Sequence, residues 1–135
     1  MTPLFKKLNF RKQKEILILH HPVEFEGEMK VMEEHTTIKT SINEAKEVEF
    51  VLSFVRTQSE IEEIAPAVLD LLKGDGVIWF AYPKGTSKKY HVEINRDKGW
   101  GILEKLGLKG VRSVAIDSDW SAVRFRRVEF VKFRS

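Results

Sequence analysis

The run Val77-Ile78-Trp79-Phe80-Ala81-Tyr82, closed by Pro83, decides how the chain is to be read. Six consecutive apolar side chains give an extended segment no polar face, so both faces must be covered, as in an interior strand of an α/β sheet. Gly74-Asp75-Gly76 precedes the run, and the proline, lacking an amide hydrogen, ends its ladder. No apolar run in the sequence is longer, and spanning a bilayer takes roughly 18 residues, so no transmembrane helix is expected.

Strand and helix signals alternate outward from this run. Ile16-Leu17-Ile18-Leu19 repeats the pattern at shorter length and is ended by His20-His21-Pro22; Val48 to Val55 is rich in β-branched and aromatic residues. Phe25 to Glu34 is weakly helical around Gly27, and Thr36 to Lys39 suits a brief edge strand. Ser59 and Glu62 have capping-box spacing, and Ile61, Ile64, Ala65, Val68, Leu71 and Leu72 share one helical face. That predicts a helix stopped by Gly74 and kinked or restarted at Pro66. Asn95 to Leu106 reads as a second helix, capped by Asn95 and closed by Gly107. Val111 to Ile116 is a strand, Asp117-Ser118-Asp119 a turn, and residues 122–132 alternate as a long strand running back. No repeat or low-complexity tract divides the chain. Residues 1–14 form a basic segment whose first 12 or so residues lack periodicity and are expected to fray, leaving 15–135 as a single domain.

The 135 residues carry 23 bases, 20 acids and no cysteine. Without cysteine there are no disulfides, thiolate metal sites or cysteine nucleophiles. Ile16 to Leu19 is too short for the apolar core of a secretory signal, so a cytoplasmic protein is expected. The net +3 is weak, but its distribution is polar: five bases and no acid in residues 1–14, four bases and 13 acids in 15–70, 14 bases and seven acids in 71–135. Segments of +5, −9 and +7 either cancel side by side or steer an anion to one end of the fold.

Phe54-Val55-Arg56-Thr57, Trp79 through Tyr82-Pro83-Lys84, Asn95-Arg96-Asp97 and Asp117 through Trp120-Ser121 to Arg124-Phe125 together resemble a family of small bacterial proteins known only as a domain of unknown function. The likeness runs from residue 15 to about 127. That family in turn resembles a shortened S-adenosylmethionine-dependent methyltransferase fold. The resemblance implies a Rossmann-like α/β three-layer sandwich with a mostly parallel sheet of about six strands. With right-handed crossovers, strands at 16–20, 36–39, 48–55, 77–82, 111–116 and 122–132 then lie in the order 2-1-3-4-6-5, only the last antiparallel. The same resemblance implies a Gly-x-Gly-like loop after the first strand and an acidic residue ending the next. Here the first strand leads into His20-His21-Pro22-Val23-Glu24-Phe25-Glu26, and the first glycine is Gly27. Bulky side chains therefore stand where a cofactor would meet bare backbone.

Ligands of open α/β sheets bind outside the carboxyl ends of the strands. Arg56, Lys84 and Arg124 are expected to converge there on a small anionic ligand, with Tyr82 and Trp120 as an apolar wall and His20 at the same edge. The opposing reading neutralises these cations with local acids such as Asp117 and Asp119. His20 and His21 point to opposite faces of a strand, and His35 and His91 are isolated, so no metal site is expected. The loop Gly85-Thr86-Ser87-Lys88-Lys89-Tyr90 either closes over an anion or is a mobile surface loop, and it is not a Walker sequence. The tail from Arg124 to Arg134 interleaves bases with aromatics as some nucleic-acid surfaces do, though any strand alternates, and no nucleic-acid partner is expected. The leading reading is a binding domain with a degenerate cofactor crevice. The alternatives are a small-molecule methyltransferase using S-adenosylmethionine and a nucleic-acid-binding module.

Overall fold

A computed structural model describes residues 1–91, 93–95 and 98–131. Six strands, β1 (Glu15–Leu19), β2 (Thr37–Lys39), β3 (Val48–Phe54), β4 (Leu72–Pro83), β5 (Leu108–Ala115) and β6 (Trp120–Arg127), form one sheet in the order β2-β1-β3-β4-β6-β5. The first four run parallel, and β6 is antiparallel to both neighbours, β4 and β5. This is the order and polarity expected from the sequence. Helices α1 (Pro3–Lys7), α2 (Glu26–Met32), α3 (Gln58–Leu71) and α4 (Gly101–Lys105) complete the three layers. No helix among the described residues is long and apolar enough to cross a membrane.

Alternation along the interior strands sorts the core into two halves. Leu17, Leu19, Val51, Ile78, Phe80 and Tyr82 face α3 and α4, where they meet Ile61, Ile64, Val68 and Leu103. Ile16, Ile18, Phe50, Leu52, Phe54, Val77, Trp79 and Ala81 face the other way. That second face is covered by the amino-terminal segment, which does not fray: Leu4, Phe5, Leu8 and Phe10 are buried against it, together with Phe25, Met29 and Met32. Thr2 caps α1 by accepting from the Phe5 amide at 3.1 Å, Pro3 opens it, and the Trp79 indole N–H donates to the Leu8 carbonyl at 2.8 Å inside the core. The four apolar residues fit no long periodic helix because they span a single short helix and the turn beyond it.

Local boundaries differ in ways that follow from competing caps. Helix α3 is capped two residues before the expected Ser59, at Thr57. Thr57 leaves β3 in extended conformation, its hydroxyl oxygen accepts from the Glu60 amide at 3.1 Å, and its own amide donates the reciprocal bond to Glu60 Oε1, also at 3.1 Å. Thr57/Glu60 and Ser59/Glu62 share one spacing, and only the point where the strand turns selects between them. The helix is continuous through Pro66 and ends at Leu71, so Gly74 does not stop it but sits with positive φ inside β4. Arg127, last in β6, caps its far end by donating to the carbonyls of Leu69 (3.2 Å), Leu72 (3.1 Å) and Gly74.

The expected helix at 95–106 shrinks to α4. Asn95 and Lys98 pair through their backbones, and Gly99 (φ 106°) follows where a Cβ would lie 2.5 Å from Ile94 Cγ2. Arg96 and Asp97 lie outside the described residues. Strand β6 stops at Arg127 and passes into a single helical turn over Val128–Phe130, so the expected strand to 132 is too long, and Lys132 itself lies outside the described residues.

Two substitutions test the amino-terminal layer by urea unfolding. Phe5→Ala is expected to destabilise by about 3–5 kcal/mol through lost burial and a residual cavity. Trp79→Phe keeps the ring but orphans the Leu8 carbonyl, at about 1–3 kcal/mol. Losses below 0.5 kcal/mol in both would mean that the segment is not part of the cooperative unit.

Candidate functional site

The carboxyl ends of β1, β3 and β4 and the hairpin from β5 into β6 meet at one edge, and the side chains gathered there are mostly not the expected ones. Glu24, in the turn after β1, lies at the centre. Its carboxylate accepts from the Tyr90 hydroxyl at 2.5 Å, the Lys89 ammonium at 3.2 Å and the Trp120 indole N–H at 3.3 Å. These bonds, the Tyr90 hydroxyl first, hold its carboxyl far down, at about 2, against the opposing effect of burial. Burial, and then the bond to Glu24, push the Tyr90 phenol up.

Aromatic contacts continue the cluster inward. The Tyr90 ring lies 4.9 Å from that of Trp120, which is 1 % exposed and stands edge-on to Phe54 at 5.1 Å. Outward, the Arg56 guanidinium lies over the Tyr90 ring, 4.7 Å from its centroid. The 84–90 loop is pinned rather than free. The Lys84 amide donates to the Asp119 carbonyl at 2.8 Å, the Ser87 hydroxyl donates to Asp119 Oδ1 at 2.8 Å, and the same hydroxyl oxygen accepts from the Lys89 and Tyr90 amides at 3.2 Å. Asp117 Oδ1 accepts from the amides of Asp119 (2.7 Å) and Trp120 (2.9 Å), a turn role.

Of the residues expected at this edge, Arg56 and Trp120 are brought together, Lys84 contributes its backbone, and His20 stands exposed at the end of β1. Tyr82 and Arg124 are not part of it. Tyr82 pairs with Ser121 and Pro83 with Trp120, so Tyr82 turns to the opposite face, where its ring lies 5.7 Å from Trp100. A wall of Tyr82 and Trp120 is excluded by the alternation of the strand. Arg124 pairs with Trp79, four residues back from Pro83, or about 13 Å of strand. The convergence of three cations therefore does not form. Glu24, Lys89 and Tyr90 were not among the expected site residues, although Lys89 and Tyr90 end the loop read as closing over an anion. One signal was present: Tyr90 is one of only two tyrosines, at the end of an otherwise small and polar loop.

The edge does not present what a nucleoside cofactor of this fold requires. His20, first after β1, already holds the left-handed conformation (φ 56°) that glycine adopts without penalty, but with an imidazole attached. Beyond β2 come Thr40 and Ser41 rather than an acidic residue. Glu24 and Trp120 bond directly at this edge, and Tyr90 packs against both. These positions carry neither the glycine loop nor the acidic residue that the resemblance implies for S-adenosylmethionine.

No family model and no curated protein matches the chain. Solved structures do match. An S-adenosylmethionine-dependent methyltransferase from Aquifex aeolicus aligns over 93% of this chain and 88% of its own at 12% identity, with a TM-score of 0.59. A fibrillarin pre-rRNA processing protein from Methanococcus jannaschii aligns over 87% and 67% at 14% identity and a TM-score of 0.55. The DhpI–SAH complex aligns over 92% and 81% at 11% identity and a TM-score of 0.54. The sheet is thus the methyltransferase-like, Rossmann-like one that the sequence resemblance implied.

The low Glu24 pKa has a definite sign. Above its ordinary value of 4.5 the group is charged in folded and unfolded chains alike, and its bonds contribute fully to stability. As pH falls from 4.5 towards 2, the unfolded chain takes up the proton first and that contribution is lost. Chemical denaturation from pH 7 to 2 is expected to show a smaller fall in that window for Glu24→Gln than for the parent. Equal slopes would mean that Glu24 is not held by its three donors.

Proposed function

We propose that this chain is a cytoplasmic ligand-binding domain built on a methyltransferase scaffold, with its cofactor crevice closed by its own side chains, and that it takes a small anionic ligand instead of transferring methyl groups. The observation that carries this reading is the Glu24 carboxylate, bonded at once to Tyr90, Trp120 and Lys89 across the carboxyl edge. A nucleoside entering there must break all three bonds and separate two rings packed at a tilt, with no glycine loop to offer compensating backbone contacts. Fold likeness does not carry activity across, since one scaffold hosts many functions. The anionic class of ligand rests on the excess of bases in residues 71–135.

A second reading, methyl transfer to a small molecule from S-adenosylmethionine, is favoured by the sheet order shared with such enzymes. Calorimetric titration with S-adenosylmethionine and S-adenosylhomocysteine separates the two. The closed crevice predicts no measurable heat at ligand concentrations up to about 1 mM, an affinity floor near −4 kcal/mol. Micromolar binding of either compound would establish the second reading in place of the first.

A further inference from the structure

Two cross-strand pairs between β5 and β6 set like charges opposite one another: Lys109 with Arg126, and Arg112 with Arg124. Directly opposed like charges destabilise a sheet. The second pair exists only because of a β-bulge. Gly110 pairs with Phe125, the register shifts, and Arg112 rather than Val111 then stands opposite Arg124. Arg126 lies two residues further along β6, on the face of Arg124. The turn after α1 adds another base, because Asn9 Oδ1 accepts from Arg112 Nη1 at 3.4 Å and Arg11 follows close behind.

The field of the Asp75 carboxylate supports the Arg124 charge, whereas those of Arg126, Arg112 and Arg11 oppose it. Asp75 is also already engaged through both oxygens, at 2.9 and 2.6 Å, by Arg126. Arg124 Nε is buried and has no hydrogen-bond partner among the described residues. Burial and the neighbouring cations together push the Arg124 guanidinium down from its ordinary value. Guarding an edge strand against pairing accounts for bases on β5, which is the outer strand. It does not account for Arg124, which sits on interior β6, nor for the bulge that brings Arg112 onto it.

We propose that Arg124, Arg112 and Arg126, with Arg11 above them, form a receptor for a phosphate-class oxyanion on the face of the sheet covered by the amino-terminal segment. A tetrahedral dianion accepts several guanidinium N–H bonds at once and offsets the repulsion that the bulge creates. This deepens the proposed function by placing the anionic group away from the carboxyl edge. It relies on that reading for the ligand class alone. Phosphate binding here and methyl-donor binding at the edge are read by separate titrations, so either can fail without the other.

The test is thermal unfolding in inorganic phosphate against chloride at equal ionic strength and constant pH. At phosphate tenfold above its Kd, the parent protein is expected to melt about 5 °C higher. Arg124→Met and Arg112→Met are each expected to abolish that increment and to melt at or above the parent in chloride, since a repelling charge has gone. Arg112 is on the exposed outer strand, so its variant reads the site even if Arg124→Met fails to fold. Lys105→Met, on exposed α4, keeps the full increment. A labelled single-stranded RNA 10-mer distinguishes the source of the phosphate. Salt-sensitive RNA binding that Arg112→Met abolishes would make a nucleic-acid backbone the ligand, whereas a phosphate increment without RNA binding makes it a free or small phosphorylated one. No increment and no RNA binding in the parent, an increment that survives both methionine variants, or one lost instead in Arg56→Ala would overturn the site.

Discussion

The fold depends on covering β4 on both faces. A strand whose residues 77–83 are all buried needs an apolar layer above and another below, and among the described residues α3 is the only helix longer than seven residues. The second layer is assembled from short pieces, α2 and the amino-terminal ten residues, locked by an indole-to-carbonyl bond from the strand's own tryptophan. That bond joins residues 71 positions apart, so the segment that looks least structured in the sequence is held by the residue that organises the sheet.

The same economy shapes the carboxyl edge. The connection from β1 into α2 begins with His20 and passes through a single helical turn at Val23–Phe25, which places Glu24 over the end of the sheet. An ionised carboxylate there needs donors, and Tyr90, Lys89 and Trp120 supply them. The loop after β4 is therefore drawn down onto the edge. A scaffold shared with methyltransferases thus ends in a hydrogen-bonded cluster that serves its own stability.

Two-sided burial of the central strands was legible from long apolar runs, whereas sheet order and strand directions came from the resemblance to the methyltransferase fold together with crossover rules. What was not legible depended on choices between equivalent local signals. Thr57/Glu60 and Ser59/Glu62 have the same spacing, and Asn95 could cap a helix or close a turn. The side of the sheet taken by Tyr82 depended on pairing register with β6, which a sequence does not print. The bulge at Val111 is the clearest case: one extra residue decides whether Arg124 faces valine or arginine, and no property of either residue announces it.

Arg127 ties the last residue of β6 to the carbonyls that end α3, across 53 to 58 residues of chain. Leu69 lies in the last turn of α3 and Leu72 and Gly74 at the start of β4, yet these carbonyls gain their partner only after the final strand has docked. Completion of the hairpin is thereby coupled to completion of the helix. Partial structures that lack β6 leave α3 frayed at the end that feeds β4, and the domain is expected to open as one unit rather than shed its last strand.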